Sequence, residues 1–286
     1  MRLQTGLAVQ TQGLGHTYHV DGEDVVALLD VQLTVGAGES VAILGPSGSG
    51  KSTLMTLLAG LRRPSSGRLY VGGDDIAQMT ERELLRLRGQ RVGVVVQNPS
   101  RNLLAYGTAE DNIRFAQSGA GRYRRTGLPD PDDLLAQLGL SELAGHQVGR
   151  MSGGEQQRLS VAMGMANSPG LLLADEPTSQ LDSENRDRVV ALLAKISLDF
   201  GTTVVAVTHD RSVAAALGRT ITITAGRADD RDQQLDQYVT VTATGSVTLP
   251  EDVRNRLPPG SRLRVVRKSH GLELVADPPP SEADGA

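Results

Sequence analysis

Apolar residues in this chain fall into two kinds of run, and their order sets the class of the fold. VVALLDVQLTV (25–35) and SVAIL (Ser40–Leu44) read as strands on either side of a GAGE turn. RVGVVVQ (91–97), LLLA (171–174) and TVVAV (Thr203–Val207) are short and almost continuously apolar. Such strands belong to a sheet covered on both faces. Between them lie stretches of helical spacing, the first over 52–61 and closed near Gly60. Strands separated by helices predict an α/β domain.

The texture changes twice. Between Gln97 and Met165 the chain turns polar, glycine-dotted and short-helical, a helical insert within the α/β domain, with GAGRYRRTGLPDPDD (119–133) as a surface loop ahead of a helix. After Gly226 comes RADDRDQQLDQ, charged and weakly apolar, so residues 1–227 close one domain and 228–237 read as a linker. From Tyr238 to Thr244, Val239 and Val241 alternate with Thr240 and Thr242, the period of a half-buried strand, so 238–276 form a second module. The last residues, 277–286, are proline-rich and acidic and are expected to be disordered.

Composition narrows the function. With 39% hydrophobic and 22% charged residues the chain is an ordinary globular protein, and 286 residues suffice for one large domain and a small one. A formal charge of -4 argues against a protein built to grip nucleic acid. The absence of cysteine excludes disulfides and thiolate metal sites and fits a reducing compartment. No apolar run reaches the roughly 18 residues of a membrane span, and the N-terminus lacks the form of a signal peptide. The expectation is a chain soluble by itself, for which any membrane span comes from another protein.

Three segments carry chemistry. GPSGSGKST places Gly45, Pro46, Ser47, Gly48, Ser49, Gly50, Lys51, Ser52 and Thr53 after a strand and at the opening of a helix, the context of a phosphate-binding loop. Its glycines let backbone N–H groups approach phosphates, Lys51 can reach the β- and γ-phosphates, and the Ser52 hydroxyl can ligate Mg²⁺. LLLADEP (171–177) is an apolar strand ending in two carboxylates: Asp175 can hold Mg²⁺ through its water shell, and Glu176 can polarise an attacking water. A third segment, MSGGEQQR (151–158), is a second glycine turn at a helix start, facing anions with backbone N–H groups.

Taken in order, GPSGSGKST, VVVQN, MSGGEQQR, LLLADEPTSQLD and VTHD resemble the nucleotide-binding subunit of the ABC transporter family over residues 8–227. The resemblance implies a P-loop NTPase fold with a helical subdomain and ATP with Mg²⁺ as ligands. It implies that Tyr18 stacks on adenine, that Gln97 bridges Mg²⁺ and the permease, and that His209 contacts the γ-phosphate. It further implies that Ser179 to Asp182 communicate across a dimer. Ser152, Gly153 and Gly154 would bind the γ-phosphate of ATP held by a second copy, so that two half-sites in one chain require a homodimer. Outside the resemblance, the alternatives are a surface or core tyrosine for Tyr18, a loop cap for Gln97 and, but for the apolar strand ending in Thr208 ahead of it, a structural histidine for His209. Met151 stands where the family has leucine, a conservative apolar change.

PSSGRLYVGGDDIAQMTERELLRLRGQRVGVVVQ, TAEDNI and LLLADEPTSQLDS look most like the lipoprotein-release and macrolide-export group. That implies a separate membrane permease as partner, export or mechanical coupling, and a cytoplasmic protein held peripherally on the inner face of the membrane. TGSVTLPEDVRNRLPPGSRLRVVRKSHGLELVAD (244–277) resembles the AbrB-like swapped-hairpin fold: a strand, a short helix opened by Pro250, a PG turn and two strands joined at His270-Gly271. A module this small is usually completed by swapped pairing. Arg254, Arg256, Arg262, Arg264, Arg267 and Lys268 give it a basic face, but the excess is small, so pairing is expected over contact with nucleic acid. Two other classes remain: a regulator acting on DNA through this module, and an ABC ATPase without a permease. Repair proteins of the latter kind carry long coiled coils and translation factors two cassettes per chain, and the sequence has neither.

Overall fold

The computed structural model describes residues 6–119, 128–179, 181–230, 263–268 and 271–276. The chain divides into two units, residues 1–233 and 234–286. In the first, β1 (Val9–Val20) and β2 (Glu23–Val35) form a hairpin, and β3 (Ser40–Leu44) leads through the glycine loop into α1 (Lys51–Leu58). β4 (Ser66–Val71), β5 (Asp74–Asp75), α2 (Glu81–Gln90) and β6 (Val92–Val95) follow. Next come α3 (Ala109–Ser118), α4 (Pro131–Gln137) and α5 (Gly153–Met165), without a sheet ladder among the described residues between β6 and α5. The order β7 (Leu171–Asp175), α6 (Ser183–Phe200), β8 (Thr203–Val207), α7 (Arg211–Leu217), β9 (Arg219–Thr224) and β10 (Arg227–Asp230) completes the unit.

Two sheets result. One is antiparallel, in the order β2-β1-β4-β5; the other runs β10-β9-β3-β8-β7-β6 and is parallel except for β10. The near-continuous apolar strands now have their reason. Leu171 and Leu173 of β7 join the cluster that packs α1 and the antiparallel sheet, whereas Leu172 and Ala174 join the cluster under α5, α6 and α7. Val41 and Ile43 of β3 point to the first cluster and Ala42 to the second. Successive side chains of a strand face opposite sides, so a sheet buried on both needs apolar residues at every position. Gly93 of β6 allows a close approach of α5: a Cβ there would lie 2.1 Å from the carbonyl oxygen of Gly164.

Two boundaries differ from the sequence reading. The first helix is Lys51–Leu58 rather than 52–61, and the chain then turns at Gly60 with φ +64°. Residues 228–230, expected in a linker, belong to β10, whose Ala228, Asp229 and Asp230 pair with Ile223, Thr222 and Ile221. An edge strand needs no alternation of apolar residues, and charge there blocks unwanted pairing; Ala228 supplies a partly buried contact with the core.

In the second unit β11 (Leu263–Lys268) and β12 (Gly271–Ala276) are antiparallel, with Lys268 opposite Gly271. The pairing places Gly271 in the strand, and His270, expected with it in the turn, lies outside the described residues. The remainder of the linker, the strand over 238–244, the helix from Pro250 and the tail 277–286 lie outside the described residues.

Candidate functional site

The carboxyl ends of parallel strands point to one edge of the sheet, where α/β folds gather ligands. β3 delivers the glycine loop there, β6 is followed by Gln97, β7 ends in Asp175 and Glu176, and β8 leads to His209. A cleft of about 440 Å³ opens at this edge. Gly45, Ser47, Gly48, Gly50, Lys51, Ser52 and Thr53 line one side of it, and Gln97, Asp175, Glu176 and His209 the other.

The loop's conformation follows from its glycines. Gly48 has φ +76° with no atom within 4 Å of where a Cβ would stand, and Gly50 has φ +103° with Ala27 oxygen 2.4 Å from that point. Left-handed backbone is open to glycine at little cost. The helix it opens has no side-chain cap and no acidic residue in its first turn, so its free N–H groups and positive dipole end face the cleft. Lys51 Nζ folds back over the loop and donates to the carbonyls of Gly45 at 2.8 Å and Pro46 at 2.7 Å. Pro46 itself and Ser49 do not line the cleft; Ser49 is buried beneath the loop.

On the opposite side, burial first and the Glu176 carboxylate second push the Asp175 carboxyl above the usual range, with Lys51 acting the other way. Glu176 adopts φ +46°, unfavourable for a residue with a Cβ, and is held there by its N–H bond to Val207 oxygen at 2.8 Å and by Ser179, whose N–H and hydroxyl both donate to its carbonyl. That backbone turns the side chain toward His209, whose Nδ1 lies 2.9 Å from Glu176 Oε2. Glu176 is 15% exposed and His209 73%, so the pair joins a sheltered carboxylate to an imidazole on the rim.

The remaining predicted residues stand apart. Tyr18 does not line the cleft but pairs through its hydroxyl with Thr53 Oγ1, which does, at 3.3 Å. The His16 ring meets Tyr18 edge-on at 4.7 Å, and the Arg62 guanidinium sits 5.0 Å from the Tyr18 ring centre. Ser152 is the N-cap of α5 and forms a reciprocal pair with Glu155: its oxygen accepts from Glu155 N–H at 3.3 Å, while its own N–H and hydroxyl donate to Glu155 Oε2 at 2.8 Å each. Those two bonds hold the Glu155 carboxyl below the usual range. Ser152 and Gly153 are exposed, Gly154 packs on Asn185, and none of the three reaches the cleft. Asp182 N-caps α6 through Asn185 N–H at 2.8 Å, and Gln180 lies outside the described residues.

Sequence reasoning missed Ala27 and Val207 in the cleft wall. Both are ordinary strand residues brought there by pairing, and nothing in their type announces it. Arg62 was equally silent, since its contact with Tyr18 spans two unrelated segments.

The cleft's donors suit a hard cation: a hydroxyl (Ser52), a carboxylate (Asp175) and a side-chain amide (Gln97) are oxygen ligands of the kind Mg²⁺ takes. Among the described residues no group of three or more His, Cys, Asp or Glu could hold a metal ion by itself. No helix among those residues is long and apolar enough to cross a membrane.

Comparison with known proteins matches this arrangement. A family model described as ABC transporter matches residues 28–179. The chain is 38% identical over 220 residues to lipoprotein-releasing system ATP-binding protein LolD 1 of Caulobacter vibrioides, a match covering 77% of this chain and 93% of that protein. It is 40% identical to the macrolide export ATP-binding/permease protein MacB of Rhodopirellula baltica over 74% of this chain but only 31% of that longer protein. Among solved structures, the dimeric post-hydrolysis state of the ATP-binding cassette MJ0796 bound to ADP and Pi superposes with a TM-score of 0.68 at 32% identity, covering 80% of this chain and all of that one.

Proposed function

The chain belongs to the ABC transporter family, and from that premise we propose that two copies pair head to tail into two composite ATP sites and drive a separate membrane permease. Each chain is an ATP-binding subunit with the α/β fold of these ATPases. The observation that carries the pairing is spatial: Ser152 and Gly153 are exposed, and the Ser152–Gly154 turn does not line its own chain's cleft. In this reading the turn covers the γ-phosphate of ATP bound in the partner's cleft. The relative matched nearly end to end is an ATP-binding protein of a lipoprotein-releasing system, and the longer one couples ATP binding and permease in one chain. Export or mechanical coupling from the inner face of the membrane is the mode that agrees with both.

The residues divide the work of hydrolysis. The loop N–H groups and the open end of α1 hold the phosphates, and Lys51 exchanges its loop carbonyls for the β- and γ-phosphate oxygens. Tyr18, beside Thr53, offers its ring to the adenine. Ser52, Asp175 and Gln97 would hold Mg²⁺, which compensates phosphate charge when bound. Glu176 orients the attacking water and accepts its proton, and His209, already 2.9 Å away, fixes the carboxylate and contacts the γ-phosphate from the rim. The oxygen–phosphorus bond to the leaving ADP breaks as the water oxygen bonds to the γ-phosphorus, giving ADP and phosphate.

The second unit completes the proposal. The antiparallel pairing of β11 and β12 supports a reading of this unit as an AbrB-like module, which would pair with its counterpart in a second chain and tether two ATPase units. The similarities found favour transport over the DNA-acting regulatory reading.

The test is hydrolysis by the purified full-length protein. Wild type turns over MgATP, and Glu176→Gln binds ATP with unchanged affinity but hydrolyses it about 10²- to 10⁴-fold more slowly, the usual contribution of a positioned base. Full turnover in the variant overturns the role of Glu176; no ATP binding by wild type overturns the reading as a whole.

A further inference from the structure

β9 and β10 are joined by a two-residue turn, Ala225 and Gly226, with φ +49° and +75°. Positive φ at both central positions is the type I′ geometry that matches the twist of a hairpin and favours glycine. This turn does more than reverse the chain. The Gly226 N–H donates to the carbonyl of Ser49 in the glycine loop at 3.1 Å, and the Gly226 carbonyl accepts from Leu29 N–H on β2 at 2.8 Å. Ser49 is buried and its hydroxyl makes no hydrogen bond, so this carbonyl is the polar attachment of the loop's underside. A Cβ on Gly226 would stand 2.9 Å from the Ala27 carbonyl oxygen, and one on Gly50 would stand 2.4 Å from the same atom. The loop, β2 and the turn therefore meet around one carbonyl, with no room for a side chain from either glycine.

We propose that Gly226 is a positioning residue of the phosphate loop and that its turn links the loop to β10, the strand from which the chain continues into the second unit. The inference rests on the cleft being the nucleotide site. It acts through the Ser49 backbone: holding that carbonyl from below fixes the direction of the N–H groups that the loop presents above. A change in how β10 is held, including one imposed through the C-terminal unit, then alters phosphate affinity without touching the cleft.

The test compares Gly226→Ala with Gly218→Ala in the full-length protein. Gly218 ends α7 at φ +85° with nothing within 4 Å of a Cβ, so alanine there meets comparable backbone strain far from the loop. Both variants melt earlier than wild type. Gly226→Ala alone binds ATP about tenfold more weakly, the equivalent of left-handed strain relieved by displacing the loop. Equal ATP affinity in wild type and Gly226→Ala, or an equal loss in both variants, overturns the inference. A wild type that binds no ATP instead removes the reading on which it rests. Should Gly226→Ala fail to fold, hydrogen exchange on wild type decides: MgATP slows exchange at the Leu29 and Gly226 amides and into β10. Protection confined to the glycine loop and α1 contradicts the link.

Discussion

The two glycine turns that open α1 and α5 look alike in sequence, yet the fold treats them in opposite ways. The first lines the cleft at the edge of the parallel sheet, with no acid in the first helical turn, no side-chain cap, and a lysine folded over it. That helix end is open to an anion. The second is exposed, and its helix end is already occupied by the chain's own Glu155, bonded to the N–H and hydroxyl of Ser152. A helix end satisfied by its own carboxylate does not gather phosphate alone. It can complete a site whose phosphate is already held by strong donors elsewhere, which is the role proposed for it at a second chain's cleft.

The largest break in this comparison comes from paired substitutions. Lys51→Ala weakens ATP binding about 10- to 100-fold, as expected for the loss of a charged donor, and hydrolysis falls with it. Ser152→Arg leaves ATP affinity unchanged in a titration yet lowers hydrolysis at least about 100-fold, the scale of losing one preorganised donor to developing charge. If Ser152→Arg weakened binding as Lys51→Ala does, the two turns would serve one site in one chain.

A smaller effect tests what brings the turns together. Truncation after Gln233, at the boundary of the two units, retains β10 and should leave a folded ATPase. Without the module the nucleotide-free protein becomes monomeric in light scattering and its specific activity becomes concentration-dependent. A full-length protein that is monomeric without nucleotide contradicts the tether.

The smallest effect is on stability. Burial raises the Asp175 carboxyl in the folded chain, so its charged form opposes folding at neutral pH, and the penalty fades as pH falls through that raised range. Asp175→Asn should therefore raise the melting temperature of the nucleotide-free protein by about 2–4 °C at neutral pH while abolishing hydrolysis, and its advantage should vanish in acid. A lower melting temperature at neutral pH would show that Asp175 is structural.

How much of this was legible depends on whether a feature is local in sequence. The glycine loop, Asp175 with Glu176 and the glycine turn of 151–158 each announce themselves within a few residues, whereas the closing of that turn by Glu155 was not read. β1 was not legible: register shifts between Thr11 and Leu14, Leu14 and His16, and His16 and Thr17 break the alternation a strand should show. β10 was hidden by its charges, which an edge position tolerates. The contacts of Arg62 with Tyr18 and of Gly226 with Ser49 join distant segments, and no pattern in either segment marks its partner.

The composite site can be measured directly because the chain contains no cysteine. Ser47, exposed at the cleft, and Ser152 can each be replaced by cysteine in separate Glu176→Gln full-length chains, which are then mixed and treated with a short thiol crosslinker. The account predicts a covalent product joining one Ser47→Cys chain to one Ser152→Cys chain, formed with MgATP and not without nucleotide. Absence of that mixed product under MgATP, in chains that bind ATP normally, would contradict it.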